Sequence, residues 1–89
     1  MTRTEILSKA NECVTGQREQ DYGSPENNFA TIAKLWNAYL GDNVCSATDV
    51  AMMMALLKIA RIRSGNGTED SFVDLAGYAA CGGELSTNN

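Results

Sequence analysis

Residues 50–57, which read VAMMMALL, form a run of consecutive apolar residues without a charge. A surface helix usually presents its apolar residues as one stripe, whereas a helix that is apolar all round is normally buried all round. The run is shorter than the ~20 apolar residues of a membrane span. It is rich in Ala, Met and Leu, which favour helix. We therefore predict that these residues belong to the central helix of an all-α protein, a small four-helix bundle.

The length and composition of the chain limit its class. Its 89 residues predict a single helical domain over 1–89 with a short polar tail at 84–89. A domain of this size has too little chain to cover one helix on every side. We therefore expect a homo-oligomer. A net charge of −4 without histidine argues against nucleic acid as a partner. Three cysteines without a CxxC spacing, and a charged N-terminal segment that does not resemble a signal peptide, indicate a cytoplasmic protein without a membrane partner.

Helical periodicity and capping signals divide the chain into four predicted helices. Thr2 and Glu5 form a TxxE capping box before the first helix, and the sequence SATD at 46–49 repeats the pattern before the third. Glycines are placed to end the first, second and fourth helices, and we expect Gly16 to adopt a left-handed conformation. The predicted helices cover 3–15, 25–40, 47–63 and 69–81.

The third and fourth predicted helices are joined by a short turn and should form an antiparallel hairpin. Residues at equal distances from Asn66 then lie level, so that Lys58 faces Asp74 and Arg61 lies beside Asp70. Two interpretations of this charged seam stay open. It is either a pair of structural salt bridges, each contributing ~0–1 kcal/mol, or a site whose cations bind phosphates. In the second case Asp70 and Asp74 hold a magnesium ion or orient the cations, and magnesium is the one cofactor that the pattern suggests.

Two tyrosines are candidates for stacking on the base or ribose of a nucleotide, Tyr22 in a polar connection and Tyr78 on the fourth helix. Gly23 would allow the backbone to approach a ligand beside Tyr22. Asn28 lies in the first turn of the second helix, where an anion is favoured. The structural alternative for Tyr22, which is the favoured interpretation, is a ring that covers the edge of the core, and for Asn28 it is ordinary capping. No catalytic residue is predicted, because no Ser or Cys has a recognisable activating partner.

Four segments occur in the order YGSPENNF, IAKLWNAYL, ATDVAMMMALLKIARI and DSFVDLAGYAA. Together they span residues 21–80 and resemble a family of small phage and prophage proteins. The last two segments are also similar to nucleotide-modification-associated domains of phage and, more remotely, to MazG-like all-α nucleoside triphosphate pyrophosphatases. The resemblance implies a helical bundle that assembles as a dimer or tetramer in the host cytoplasm. It also implies magnesium-bound nucleotide phosphates, held by acidic residues on two neighbouring helices.

The chain departs from the MazG-like pattern in its acidic residues. Asp70 and Asp74 stand for the ExxD half of the pattern, although they are spaced DxxxD. The EExxE half has no counterpart in the second predicted helix. We therefore predict a phage-type nucleotide-binding protein that sequesters a nucleotide or cyclic-nucleotide immune signal without hydrolysing it, by analogy with small helical phage proteins that act as sponges.

Two alternative functions remain open. The first is a MazG-like, magnesium-dependent nucleoside triphosphate pyrophosphatase, which would need further carboxylates from Glu19, Asp21, Glu26 or another subunit. The second is a protein-binding inhibitor of a host factor, in which the charged seam is purely structural. Metal-dependent product formation separates the first alternative from nucleotide binding, and a stoichiometric host partner identifies the second.

Overall fold

The computed structural model describes residues 1–16 and 25–87, with only the backbone at 25–27. This part of the chain contains four α-helices and no strand, which confirms the all-α prediction. The helix bounds predicted for the first three helices are also confirmed. The helices are α1 (Arg3–Thr15), α2 (Pro25–Leu40), α3 (Ala47–Arg63) and α4 (Glu69–Thr87).

Both predicted capping boxes are present. The Glu5 backbone N–H donates to the Thr2 hydroxyl at 3.1 Å, and the Thr2 N–H donates to the Glu5 carboxylate at 3.2 Å. At α3 the Asp49 N–H donates to the Ser46 hydroxyl at 3.1 Å, and the Ser46 N–H donates to the Asp49 carboxylate at 2.9 Å. Because the first N–H groups of a helix have no partner within the helix, these side chains set where α1 and α3 begin.

The ends of α1 and α2 differ from one another. The expected left-handed conformation of Gly16 is wrong, because its φ is −103°. Gly41 does adopt a positive φ of +76°, and its N–H donates to the Asn37 carbonyl at 2.9 Å. The Asn37 side chain then orders the connection to α3. Its oxygen accepts from the N–H groups of Val44 and Cys45, and its amide donates to the Cys45 carbonyl at 2.9 Å.

The prediction that α4 ends at its glycine pair, before a polar tail at 84–89, is wrong, because the helix continues to Thr87. Leu85 in the last turn is buried, which makes this segment part of the core. Gly82 is buried as well, and a Cβ atom at its position would lie 2.5 Å from the Met52 Cε atom. The glycine thus allows α4 to approach α3 closely, and this packing offsets its poor helix propensity of ~1 kcal/mol.

The core lies where α4 meets the other three helices. α4 packs against α3 and α1 and also touches α2, whereas α3 packs against α4 and α2. The helix with the broadest set of neighbours is therefore α4, and the prediction that the apolar helix is central is wrong. The main buried cluster consists of Phe29 and Ala33 from α2, Val50 and Ala51 from α3, and Cys81 and Leu85 from α4.

The apolar run of α3 is buried on one side only. Val50 and Ala51 are fully buried, whereas Met53 is 45% exposed, Leu56 62% and Leu57 49%. The expectation of burial on all sides therefore fails for the single chain, because the other helices cover α3 from one direction. None of the described helices is both long enough and apolar enough to cross a membrane.

Candidate functional site

The α3–α4 hairpin brings one cation and one carboxylate together at its seam. The chain reverses over residues 64–68, where Gly65 has a φ of +84°. The Lys58 Nζ atom lies 3.0 Å from the Asp74 Oδ2 atom, which confirms the predicted antiparallel register. The Lys58 side chain is 19% exposed and that of Asp74 is 40% exposed. The Lys58 ammonium is therefore held at a half-buried position with access to solvent.

Arg61 and Asp70 lie nearer the turn and are both exposed. Within the described residues they form no ion pair with each other, so the seam contains the single pair of Lys58 and Asp74 rather than the predicted ladder. Arg61 lies three residues after Lys58, and side chains at this spacing are neighbours on a helix surface. Its guanidinium is consequently available to an anion from solvent beside the fixed ammonium.

The acidic residues of the seam offer few metal ligands. Among the described residues, no three or more His, Cys, Asp or Glu side chains cluster closely enough to hold a metal ion. Asp74 is engaged with Lys58, and Asp70 is exposed on the first turn of α4. Magnesium often takes only one or two carboxylates and completes its shell with phosphates and water. A magnesium ion at this seam would therefore depend on the ligand for much of its coordination.

A small cleft of about 30 Å³ lies next to Asp74, between α1, α2 and α4. One water molecule needs ~10–15 Å³ on this measure of volume, so the cleft has room for water but not for a nucleobase. A ligand of that size would have to lie outside it, along the open surface of the seam. The cleft is lined by Cys13, Val14, Phe29, Val73, Asp74, Gly77, Tyr78 and Cys81.

The close approach of α1 to this cleft was missed in the sequence. The small residues of α4 predicted a close neighbour but did not identify which helix it would be. A Cβ atom at Gly77 would lie 3.2 Å from the Val14 Cγ1 atom, so the glycine is the point where α1 reaches α4. The signal available in the sequence was the apolar face of α1, which ends at Val14 and has to be covered.

Of the remaining predicted site residues, Tyr78 lines the cleft, Asn28 does not, and the others lie outside the described residues. Tyr78 is half-buried, and its ring packs at a tilt of 50° against Phe29, with 6.1 Å between ring centroids. Asn28 is half-buried and directly precedes Phe29 in α2. The predicted ligand contacts of Tyr22 and Gly23 lie outside the described part of the chain. So do the further carboxylates that the pyrophosphatase alternative would need, namely Glu19, Asp21 and the side chain of Glu26.

These features define an all-α protein built around one helical hairpin with a charged seam. The chain belongs to the family described as Domain of unknown function (DUF6378), whose model matches residues 5–86. It is 49% identical over 74 residues to the Gene 55 protein of Mycobacterium phage L5, covering 83% of this chain and 47% of that protein. It is 45% identical over 76 residues to the Gene 55 protein of Mycobacterium phage D29, covering 85% of this chain and 50% of that protein.

The chain thus spans about half the length of the curated phage relatives it matches. The predicted resemblance to a phage protein family is confirmed at this level. No solved structure matches the chain.

Proposed function

We propose that this protein is a phage nucleotide-binding protein that sequesters a nucleotide or cyclic-nucleotide immune signal and does not convert it. The observation that carries the proposal is the pair of neighbouring cations on α3. Asp74 holds the Lys58 ammonium at the seam, and Arg61 is exposed one turn further on. Phosphate oxygens accept hydrogen bonds from both groups, and the planar guanidinium can bind a phosphate through two parallel bonds.

Binding without turnover is favoured by the state of the two carboxylates. A MazG-like pyrophosphatase holds its magnesium and triphosphate with several acidic residues on neighbouring helices. Here the seam offers two carboxylates, and Asp74 is already paired with Lys58 at 3.0 Å. Metal-assisted hydrolysis needs a metal ion whose coordination the protein fixes, and two carboxylates, one of them already paired, supply little of that coordination. Magnesium therefore enters the proposal as a bridge between phosphates and Asp70 or Asp74, not as the centre of a hydrolytic reaction.

The base and ribose have separate candidate contacts. Tyr78 lies one turn after Asp74 on α4, so it shares a helix face with the carboxylate that pairs with Lys58. Its contact with Phe29 fixes the ring, which lowers the entropy cost of a further contact. Asn28 precedes Phe29 on α2 and is half-buried, and it is the proposed polar contact from that helix. Tyr22 and Gly23 complete the proposed set, although they lie outside the described residues.

The test is a retention assay with linear and cyclic nucleotides, with and without Mg²⁺. Protein and ligand are separated by filtration, the retained fraction is heated, and both fractions are analysed by chromatography. We expect one nucleotide to be depleted from the filtrate and released intact on heating. Arg61→Ala should weaken its binding about tenfold or more, because a hydrogen bond between charged groups contributes ~1.5–3 kcal/mol.

Lys34→Ala is the control, since Lys34 is an exposed cation on α2 near the connection to α3, at the opposite end of α3 from Arg61. Equal affinity of the wild-type and Arg61→Ala proteins would contradict the placement of the site. Conversion of a nucleoside triphosphate in the presence of Mg²⁺ or Mn²⁺ would replace the proposal by the pyrophosphatase alternative.

A second candidate function is binding to a host protein, and the surface at the end of α2 favours it. Tyr39 is 91% exposed, Leu35 four residues earlier on the same helix face is 65% exposed, and Leu40 and Val44 further along the chain are each 57% exposed. Exposed apolar patches rich in aromatic residues are typical of protein-binding surfaces. A tagged protein used as bait in host lysate should recover a stoichiometric partner if this function is correct. Tyr39→Ser should lose that partner, whereas Leu7→Ser on α1 should retain it.

A further inference from the structure

We propose that the outer face of α3 is a homodimer interface in which two copies of α3 pack antiparallel about a two-fold axis at Leu56. This inference concerns a different surface from the nucleotide site and stands without it. The outer face is defined as Asp49, Met53, Leu56, Ile59, Ala60 and Arg63, all of which are exposed in the single chain.

The spacing of these residues is that of a helix-pairing seam. At 3.6 residues per turn, every one of them points within about 60° of the direction of Leu56. Asp49 and Arg63 are each seven residues from Leu56, and the remaining members fall three or four residues away from it. This is the heptad spacing by which one helix presents a continuous strip to another. Val50 and Ala51 lie on the opposite side, where they are buried against the rest of the chain.

The apolar area of the face is large enough for a dimer. Met53 is 45% exposed, Leu56 62% and Ile59 46%. With Leu57 at the edge these side chains present on the order of 400 Å² of apolar surface, within the ~300–600 Å² of the largest patch on a typical monomer, which is often functional. A standard interface buries ~800 Å² per partner, of which somewhat more than half is apolar. The strip and its rim therefore supply about the area that a stable dimer needs.

The charges at the two ends of the strip select a second copy of this chain in an antiparallel orientation. Asp49 lies at the first turn of α3 and Arg63 at the last, at equal distances from Leu56. A two-fold axis at Leu56 places each Asp49 beside the Arg63 of the second copy. The Asp49 Oδ2 atom accepts from the Ser46 N–H, which orients the carboxylate and leaves its second oxygen for the arginine. Within the described residues Arg63 has no ion pair of its own.

The dimer surface and the nucleotide site lie on different sides of α3. Lys58 meets Asp74 of α4, and at 100° per residue Lys58 and Arg61 both point roughly 140–160° away from Leu56. Dimerisation about Leu56 therefore leaves the seam open. Because the two surfaces share no residue, variants of one surface report on that surface alone, and failure of the dimer can be distinguished from failure of nucleotide binding.

The experiment is sedimentation velocity of the full chain over a range of concentrations, with circular dichroism to verify helicity. We expect the wild-type protein to form a concentration-dependent dimer. Leu56→Glu should sediment as a monomer at the same concentrations, because it places two carboxylates at the two-fold axis. Leu7→Glu is the matched control and should remain dimeric, since Leu7 is also exposed, at 64%, but lies on α1.

Charge variants test the antiparallel register and remain informative if Leu56→Glu does not fold. Arg63→Glu places like charges opposite one another and should raise the dissociation constant of the dimer about tenfold. Adding Asp49→Asn should restore most of the loss, because Asn keeps an oxygen for the Ser46 N–H and removes the repelling charge. A monomeric wild-type protein would overturn the proposal, even if it captured a host protein. A dimer unchanged by Arg63→Glu would equally overturn it.

Discussion

The two sides of α3 have similar hydropathy but differ in side-chain size and surroundings. The inner side presents Val50, Ala51 and Ala55, which are buried at 0%, 0% and 8% exposure. The outer side presents larger residues such as Met53 and Leu56, which are 45% and 62% exposed. Small side chains thus let α3 lie close to the body of the chain, and the residues with the most apolar surface face away from it.

This difference shows that an apolar run can serve two packing surfaces at once. The inner surface is satisfied within the chain, where Gly82 of α4 meets Met52 and Ala51. The outer surface has no cover within the described chain, which is the basis of the proposed dimer. Substitutions at matched positions on the two sides should therefore affect different properties, namely the free energy of unfolding on the inner side and assembly on the outer side.

The largest expected effect comes from introducing a charge on the inner side. Val50→Asp should abolish cooperative folding, because an unpaired buried carboxylate costs several kcal/mol against a total stability of ~5–15 kcal/mol. Met53→Asp, its control on the outer side, should keep the helical circular dichroism signal while weakening the dimer. Thermal unfolding followed by circular dichroism measures the stability of the two variants. If the two variants lost the same stability, the two sides of α3 would not differ as described.

A smaller effect is expected at the contact between α3 and α4. Gly82→Leu should lower the free energy of unfolding by ~1–3 kcal/mol, because it overpacks the space filled by Met52. Gly83→Leu should be neutral or slightly stabilising, since nothing lies within 4 Å of a Cβ atom at Gly83 and leucine favours helix more than glycine does. Urea unfolding of both variants provides the measurement. Equal losses would contradict the close approach at Gly82.

The connection between α2 and α3 should have an effect of similar or smaller size. Asn37→Ala removes the acceptor for two backbone N–H groups and the donor to the Cys45 carbonyl, and should cost ~1–2 kcal/mol. Asn37→Asp keeps the acceptor oxygens and should lose less. The comparison is sharpened by hydrogen exchange, in which the N–H groups of Val44 and Cys45 should lose protection in Asn37→Ala. Unchanged protection would contradict this role.

The smallest effect concerns α1, which lies apart from both sides of α3. The Thr2 backbone N–H and hydroxyl donate to Glu5 and lower the pKa of this carboxyl from its ordinary 4.5. The folded-state pKa is depressed, so the contribution to stability is present above the ordinary pKa and is lost as pH falls through the lowered one. The difference in Tm between wild type and Glu5→Gln should therefore be present at about pH 6 and shrink by about pH 3. A difference independent of pH would contradict this assignment.

Features determined by neighbouring residues were predictable from the sequence. The capping boxes at Thr2 and Ser46 each depend on a residue three positions away, so the starts of α1 and α3 were predicted correctly. The pairing of Lys58 with Asp74 follows from the short turn, because counting from the turn sets the register of a hairpin.

Features determined by distant contacts were not predictable in the same way. Gly82 has the sequence signature of a helix end but is instead a contact point with Met52, which is thirty residues away in the chain. The exposure of Leu56 depends on where the other helices lie, and periodicity alone does not reveal that. At the seam, Arg61 and Asp70 were correctly placed near the turn, but spacing alone could not decide whether their side chains would meet.

The central claim is that α3 binds a nucleotide on its α4 side and a second copy of the chain on its outer side. Native mass spectrometry of the full chain, incubated with the nucleotide panel, reads both properties in one spectrum. The account predicts twice the chain mass plus the mass of one unaltered nucleotide for each chain. A single chain mass would contradict the dimer, and a dimer mass without any added nucleotide would contradict the proposed function.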